Sequence, residues 1–279
     1  MLPQPIQYEP LLRMALAEDI GAGDLTTLLT VPPDTGAEGL LLAKADGIIA
    51  GLPIAAHTFV LIENTAEVTL SVSDGDRISA GTVLGRVRGP ARGLLTAERV
   101  ALNLLQRLSG IATLTGKFVE AIEGTPARIV DTRKTTPGLR LLEKYAVRVG
   151  GGYNHRFGLS DGILIKDNHL AAGGGVRAAV ERARRNAPHT LKIEVECKTL
   201  AQVDEAIDVR ADVILLDNMS LADLRTATER IAGRAITEAS GGVRLETVAD
   251  IARTGVNLIS VGALTHSAPA LDISLDFSV

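Results

Sequence analysis

The second half of this 279-residue chain predicts an α/β fold with a parallel sheet. Two observations carry that reading. Apolar runs of about four to six residues alternate with amphipathic stretches of about ten or more, the pattern of repeated βαβ units. Each apolar run also ends in polar or charged residues, as strands do where they open onto a functional face. An open doubly wound sheet and a closed barrel both fit the alternation. No GxGxxG stands between a strand and a helix, which weakens the dinucleotide-binding version of the open sheet.

Taken in order, the chain up to about residue 105 reads as a mixed region. EPLLRMALAEDIG carries an early helical signal. AEGLLLAKADGIIAG and AEVTLSVSDGDRISAGTVLGRVRG read as short strands, punctuated by turns at Asp74-Gly75 and Ala80-Gly81. A helix is predicted from Thr96, as N-cap, through ERVALNLLQRLSGIATLTGKFVEAI. Val100, Leu104, Leu108, Ile111 and Phe118 keep its apolar period. Strands are then predicted at 127–132, 162–167, 191–197, 211–218, 234–242 and 257–264, with a helix in each interval.

Composition excludes several classes. Hydrophobic residues make up 46% of the chain and the formal net charge is −4, which argues against a general binder of nucleic acid or acidic membranes. The single cysteine, Cys197, rules out an internal disulfide and a multi-cysteine metal site, and a reducing, cytoplasmic setting is expected. Cys197 itself reads as a small core residue. The N-terminal MLPQPIQYEPLLRMALAEDIG lacks the basic start and apolar run of a signal peptide.

The predicted strand ends carry the chemistry. The first ends in Asp131, Arg133 and Lys134, the second in Lys166, Asp167, Asn168 and His169. The third ends in Glu194 and Glu196, the fourth in Asp217 and Asn218, the fifth in Ser240, Gly241 and Gly242, the sixth near Gly262. In a barrel these ends converge on one face. Arg133, Lys134, Arg156 and Lys166 would repel one another in an empty cleft, so together they imply a polyanionic ligand. Glu196 and Asp217 suggest a divalent cation shared with phosphate oxygens. Salt bridges to neighbouring charges are the plainer explanation for each residue taken singly. SGG at 240–242 offers backbone N–H groups to a phosphate, though glycine pairs often only make turns. GGGYNHR at 150–156 delivers His155 beside Arg156. The constellation fits transfer of a phosphoribosyl group to a carboxylated partner.

These segments resemble the quinolinate phosphoribosyltransferase family, also called nicotinate-nucleotide pyrophosphorylase (carboxylating). The resemblance rests on ALAEDIGAGDLTT, TAERVALNLLQRLSGIATLT and DTRKTTPGLRLLEKYAVRVGGGYNHRFGLSDGILIKDNH. It continues through IEVE, ILLDN, EASGG and GVNLISVGALTHS, and covers nearly the whole chain. It implies an N-terminal α/β sandwich domain, 1–105, with the tail 268–279 packed back on it. An incomplete seven-stranded α/β, TIM-like barrel, 106–267, would hold the site. The implied substrates are quinolinate and phosphoribosyl pyrophosphate, with Mg²⁺. By the same resemblance Thr132, Arg133, Lys134, His155, Arg156 and Lys166 would line the quinolinate pocket. Arg133, Arg156 and Lys166 would hold its two carboxylates. Glu196 and Asp217 would carry Mg²⁺ and the ribose hydroxyls; Ser240, Gly241, Gly242, Gly262 and Ala263 would cradle the 5-phosphate. Lys134, Lys166, Glu196 and Asp217 are the implied catalytic set. The family implies a homodimer, and a hexamer is a further expectation; Arg99 would complete the partner's site. Read without the family, Arg99 is a solvated helix residue.

Two other readings are weighed. A ModD-type relative of molybdenum transport clusters shares the fold, but the TTPG and KDNH of this chain favour the biosynthetic branch. VSDGDRISAGTVLGRVRG is similar to the hammerhead of lipoyl or biotinyl carrier modules, which need a lysine at a hairpin tip. No lysine lies between Lys44 and Lys117.

Overall fold

The computed structural model describes residues 2–278, and its chain divides into two units. The first takes residues up to Gly116, 135–151 and the chain from Thr265; the second takes 117–134 and 152–264.

In the first unit the predicted strands form because their apolar residues alternate. β1 (Gly36–Ala43) buries Leu41 and Ala43. Its neighbours on either side are β5 (Val83–Pro90) and the chain's last strand, β12 (Ile273–Ser278), both antiparallel. β3 (Glu67–Leu70) completes the order β12-β1-β5-β3, while β2 (Gly47–Ile48) and β4 (Arg77–Ile78) pair separately. Arg86 and Arg88 of β5 leave the core side and meet Glu38 of β1. Helices α1 (Pro5–Ile20), α2 (Leu25–Thr30), α3 (Leu52–Ile62) and α4 (Ala91–Ala121) belong to the same part of the chain. Phe59, Leu94, Ala101 and Leu105 from α3 and α4 fill the core with Leu41, Leu84 and Ile273.

Three sequence expectations change here. Helix α4 starts at Ala91, five residues before the predicted cap. Thr96 lies inside it, and its hydroxyl donates back to the Arg92 carbonyl at 2.8 Å, which a mid-helix threonine can do. The predicted boundary at 105 falls within this continuous helix. α5 (Arg140–Val149), expected to alternate with barrel strands, belongs to the first unit instead. There the fully buried Glu143 accepts from Arg107 of α4, whose guanidinium also donates to Thr136 Oγ1 at 2.8 Å and the Thr265 carbonyl at 2.9 Å. Tyr145 Oη donates to Asp74 at 2.6 Å, while Asp74 also accepts from the backbone N–H groups of Gly51 and Leu52. The Asp74-Gly75 turn is thus held down, unlike the presented tip of a carrier hairpin. Glycine is required at 110: a Cβ there would lie 1.9 Å from the Pro269 carbonyl oxygen.

The second unit is the predicted parallel sheet. Its strands are β6 (Arg128–Val130), β7 (Ile163–Ile165), β8 (Ile193–Cys197), β9 (Val213–Asp217), β10 (Ile236–Ser240) and β11 (Leu258–Ser260). They pair in the order β6-β11-β10-β9-β8-β7, every ladder parallel. The helices between are α6 (Asp167–Gly173), α7 (Gly175–Asn186), α8 (Leu200–Asp208), α9 (Leu221–Ile231) and α10 (Leu245–Ala252), followed by the short α11 (Ala263–His266). Among the described residues six strands pair where seven were expected. A single residue, Tyr153, takes the next place beside β6, as an isolated parallel bridge to Val130. The ladder stops there because the next amide, His155 N–H, donates to the Asp131 carboxylate at 2.9 Å instead of to a strand. No described helix is long and apolar enough to cross a membrane.

Candidate active site

All the site residues named above except Arg99 fall in the second unit; His155 and Arg156 follow the isolated bridge at Tyr153, and the others stand at or just beyond the C-terminal ends of its strands. After β6, the Asp131 carboxylate is fully buried and ties down the next segment: it accepts from Asn154 Nδ2 at 2.6 Å and from His155 N–H. Asp131 therefore acts as a fastener, and Arg133 and Lys134 follow it onto the rim. The Lys134 amide donates to Thr132 Oγ1 at 3.0 Å, a tight turn that leaves the Lys134 side chain exposed.

Arg156 is half-buried, and its Nη1 donates to the Gly162 carbonyl at 3.0 Å. Burial, then the neighbouring Arg133 guanidinium, hold its pKa below the ordinary arginine value; Glu194 and Asp161 oppose them. Two guanidiniums forced together in this way favour an anion between them.

On β8 the two glutamates lie two residues apart and share a strand face. Glu196 is held above its ordinary pKa, first by burial and then by the Asp217 charge, with Lys166 opposing. Lys166 Nζ stands 3.9 Å from Glu196 Oε2, a loose pair that a ligand can enter. Two hard carboxylates side by side, one of them destabilised in its charged form by the other, are a donor set for a divalent cation such as Mg²⁺. Lys198, which the sequence reading passed over, pairs with Asp167 at 2.7 Å, so Asp167 is engaged outside this set. His169 accepts the Lys166 N–H on Nδ1 at 2.9 Å and caps α6.

At the end of β10, Ser240 lies in register with Asp217. Gly241 and Gly242 follow with φ of 99° and 58°, a turn that glycine adopts readily and whose backbone N–H groups no side chain screens from an anion. A side chain at 241 is also barred by space, since its Cβ would lie 2.3 Å from Asn218 Oδ1. Gly262 and Ala263 occupy the corresponding place after β11.

His155 does not point with the cations. Its Nδ1 accepts the Arg156 N–H at 2.8 Å, which puts the ring proton on Nε2. Nε2 lies 2.9 Å from Glu194 Oε2 and 3.6 Å from Glu238 Oε1. Glu194 is 7% exposed and Glu238 1%. Burial and the Glu194 charge push Glu238 up to about 7, with His155 opposing. The three groups are close enough to surround a metal ion. A ligating histidine, however, donates from its second ring nitrogen, whereas this one accepts there. The cluster is therefore a hydrogen-bonded array beneath Arg156. Glu238 went unnoticed in the sequence, although an acid two residues before Ser240 repeats the spacing of Glu194 and Glu196. Cys197 is fully buried and its thiol is pushed up to about 12 by burial, as a core residue's would be.

Arg99 lies in the first unit on α4, exposed, with Glu98 3.7 Å away.

Comparison with known proteins follows the same lines. The quinolinate phosphoribosyl transferase N-terminal domain model matches residues 24–109 and the C-terminal domain model residues 111–276. A probable nicotinate-nucleotide pyrophosphorylase (carboxylating) of Bacillus subtilis (strain 168) is 48% identical over 274 residues, covering 98% of this chain and 94% of that protein. Quinolinate phosphoribosyltransferase (decarboxylating) 1b of Nicotiana tabacum is 45% identical over 283 residues, covering 95% and 80%. The crystal structure of NadC from Streptococcus pyogenes superposes with a TM-score of 0.97 at 43% identity, covering 100% of this chain and 99% of that one. The chain belongs to the quinolinate phosphoribosyltransferase family.

Proposed function

We propose that this protein is a decarboxylating quinolinate phosphoribosyltransferase. It joins quinolinate to phosphoribosyl pyrophosphate and releases nicotinate mononucleotide, pyrophosphate and CO₂, a step of de novo NAD synthesis. The observation that carries the reading is the gathering, at the strand ends of one sheet, of a cation group, a carboxylate pair and a double-glycine turn. Each part answers one portion of two anionic substrates.

Arg133, Arg156 and Lys166 hold the two quinolinate carboxylates, with Thr132 and Lys134 around them and His155 bracing the Arg156 backbone. Arginine supplies the planar fork a carboxylate needs, and Lys166 a mobile point charge. Ser240, Gly241, Gly242, Gly262 and Ala263 receive the 5-phosphate on backbone N–H groups. Glu196 and Asp217 would hold Mg²⁺ and the ribose hydroxyls; an ion there would supply positive charge beside the departing pyrophosphate. As the bond from the anomeric carbon to pyrophosphate oxygen breaks, positive charge grows on the ribose. The pyridine nitrogen adds its lone pair to that carbon. The resulting pyridinium accepts the electron pair of the adjacent carboxylate bond, CO₂ leaves, and the ring carbon takes up a proton. The cations of the pocket, Lys134 and Lys166 among them, hold two mutually repelling substrates in contact and temper the negative charge that develops as the leaving group departs.

The working form we propose is a homodimer in which Arg99 completes the partner's pocket. On the single-cysteine composition we place it in the cytoplasm. The test is a product assay with Mg²⁺, phosphoribosyl pyrophosphate and either quinolinate or nicotinate. Mononucleotide and CO₂ from quinolinate alone are expected. Turnover of nicotinate alone would show that the pocket serves a single carboxylate and would overturn the substrate assignment.

A further inference from the structure

The opposite face of the parallel sheet, where its strands begin, carries a second basic concavity. Arg128 opens β6, Lys192 immediately precedes β8, and Arg210 and Arg234 stand shortly before β9 and β10. With Arg184 from α7 they line a cavity of about 770 Å³ in which Asp212 is the one carboxylate. This is a local excess of positive charge in a chain whose net charge is −4.

Cations also gather at helix C-termini for structural reasons, and part of the cluster is of that kind. Arg234 donates to the Ile231 and Arg230 carbonyls at the end of α9. Arg184 donates to the Arg210 carbonyl at 2.5 Å and stands 3.9 Å from Asp212. Arg128 lies over the Tyr153 ring, 4.7 Å from its centre. Asp212 already accepts the Ile193 N–H at 2.8 Å. Among the described residues, the side chains of Lys192 and Arg210 have neither hydrogen bond nor ion pair. Arg210 also holds a φ of 58°, a region that asparagine or glycine occupies more readily.

A further observation points to a ligand. Lys192, Ile236 and Leu258 also line a second cavity of about 420 Å³, with apolar walls from Ile163, Leu191 and Val213. It also holds His155 and Arg156, so its inner end touches the site described above, and it reaches Glu194 and Glu238, each of which has a buried Oε1 with no hydrogen-bond partner. A basic mouth thus adjoins a shaft with apolar walls whose inner end mixes the donors His155 and Arg156 with the acceptors Glu194 and Glu238, a surface complementary to a chain of phosphates with or without an attached base.

We propose that the strand-start face of this sheet is a second ligand site, taking a small polyanion of the triphosphate class at Lys192, Arg210 and Arg128. Inorganic triphosphate and a nucleoside triphosphate share that chemistry. The nucleoside would add its base, whose N–H groups suit the unpartnered oxygens in the shaft.

The test is calorimetric titration of the full chain with sodium tripolyphosphate and, separately, with ATP. The strand-end face also binds phosphates, so the titrations use an Arg133→Ala/Lys166→Ala background. One binding event per chain is expected there. Adding Lys192→Gln and Arg210→Asn should weaken it at least about tenfold, from two lost charge-assisted contacts. In the otherwise natural protein, the Lys192→Gln/Arg210→Asn pair should leave turnover without tripolyphosphate unchanged. Lys192→Gln alone, at an unstrained position, serves if the double variant fails to fold. ATP binding tighter than tripolyphosphate would assign the site to nucleotides; equal or weaker binding would assign it to inorganic chains. The proposal is overturned if the Arg133→Ala/Lys166→Ala protein binds neither probe, or if removing Lys192 and Arg210 leaves binding unchanged.

Discussion

His155 Nε2 lies 2.9 Å from Glu194 Oε2, and this contact turns the histidine away from the cation cluster toward the sheet interior. Glu194 is also a counter-charge to Arg156. Replacing it with alanine should act twice. The Nε2–H donor would lose its acceptor, lowering stability by about 1–3 kcal/mol in urea unfolding. Arg156 would lose the charge that steadies it beside Arg133, so KM for quinolinate should rise more than KM for phosphoribosyl pyrophosphate. Equal changes in both constants would show that Glu194 has only a structural role.

Glu238 makes a pH prediction whose sign is fixed. Its pKa rises from 4.5 to about 7 on folding, so the folded state holds a proton that the unfolded chain gives up between those values. Stability contributed by this group is present below pH 4.5 and is lost as pH rises toward 7. Glu238→Gln keeps the shape and cannot ionise. Relative to the natural protein, its melting temperature should improve from pH 5 to pH 8, by an amount on the order of a few kcal/mol in free energy. A constant difference across that range would mean Glu238 is not held protonated.

Arg156→Ala should weaken quinolinate binding by about tenfold or more, the scale of a lost charge-assisted pair. Phosphoribosyl pyrophosphate should be affected less. Calorimetry with each substrate separates the two, and a larger loss for the phosphorylated substrate would move Arg156 to the phosphate side of the site.

Arg99 belongs to the first unit and Lys134 to the second, and the shared-site proposal gives them to different subunits. Arg99→Ala and Lys134→Ala should each be inactive alone. Co-expressed, they should yield mixed dimers with one intact site and partial activity. Isolated heterodimers that recover none would remove Arg99 from the partner's pocket.

The strand–helix alternation was legible because each apolar run is bounded by charge, as in LKIEVEC and ADVILLDN. Most strand-end residues could be read for the same reason. What escaped has physical causes. Thr96 looks like a helix start, but the helix already begins at Ala91 directly after β5, and the Ala91 N–H donates to the Thr35 carbonyl, a partner too distant in sequence for local patterning to show. Helix α5 has the period of a barrel helix, and its partners Arg107 and Asp74 lie too far away in sequence for local patterning to show them. Tyr153 pairs through its backbone, which no side-chain pattern reports. His155 was grouped with its basic neighbour Arg156, yet its direction is set by the Arg156 amide and two acids from other strands.

The pairing of β1 with β12 has a consequence for synthesis on the ribosome. The first unit begins to emerge early, but one neighbour of its β1 strand is encoded more than two hundred residues later. Until then β1 would present an unpaired edge, the kind of surface that joins other chains. A chain stopped after residue 267 should therefore accumulate as aggregate although its parallel sheet is complete, and supplying 268–279 as a separate peptide should restore part of the soluble yield. The order of manufacture leaves the nascent protein with an early vulnerability that pairing with the late-made β12 relieves.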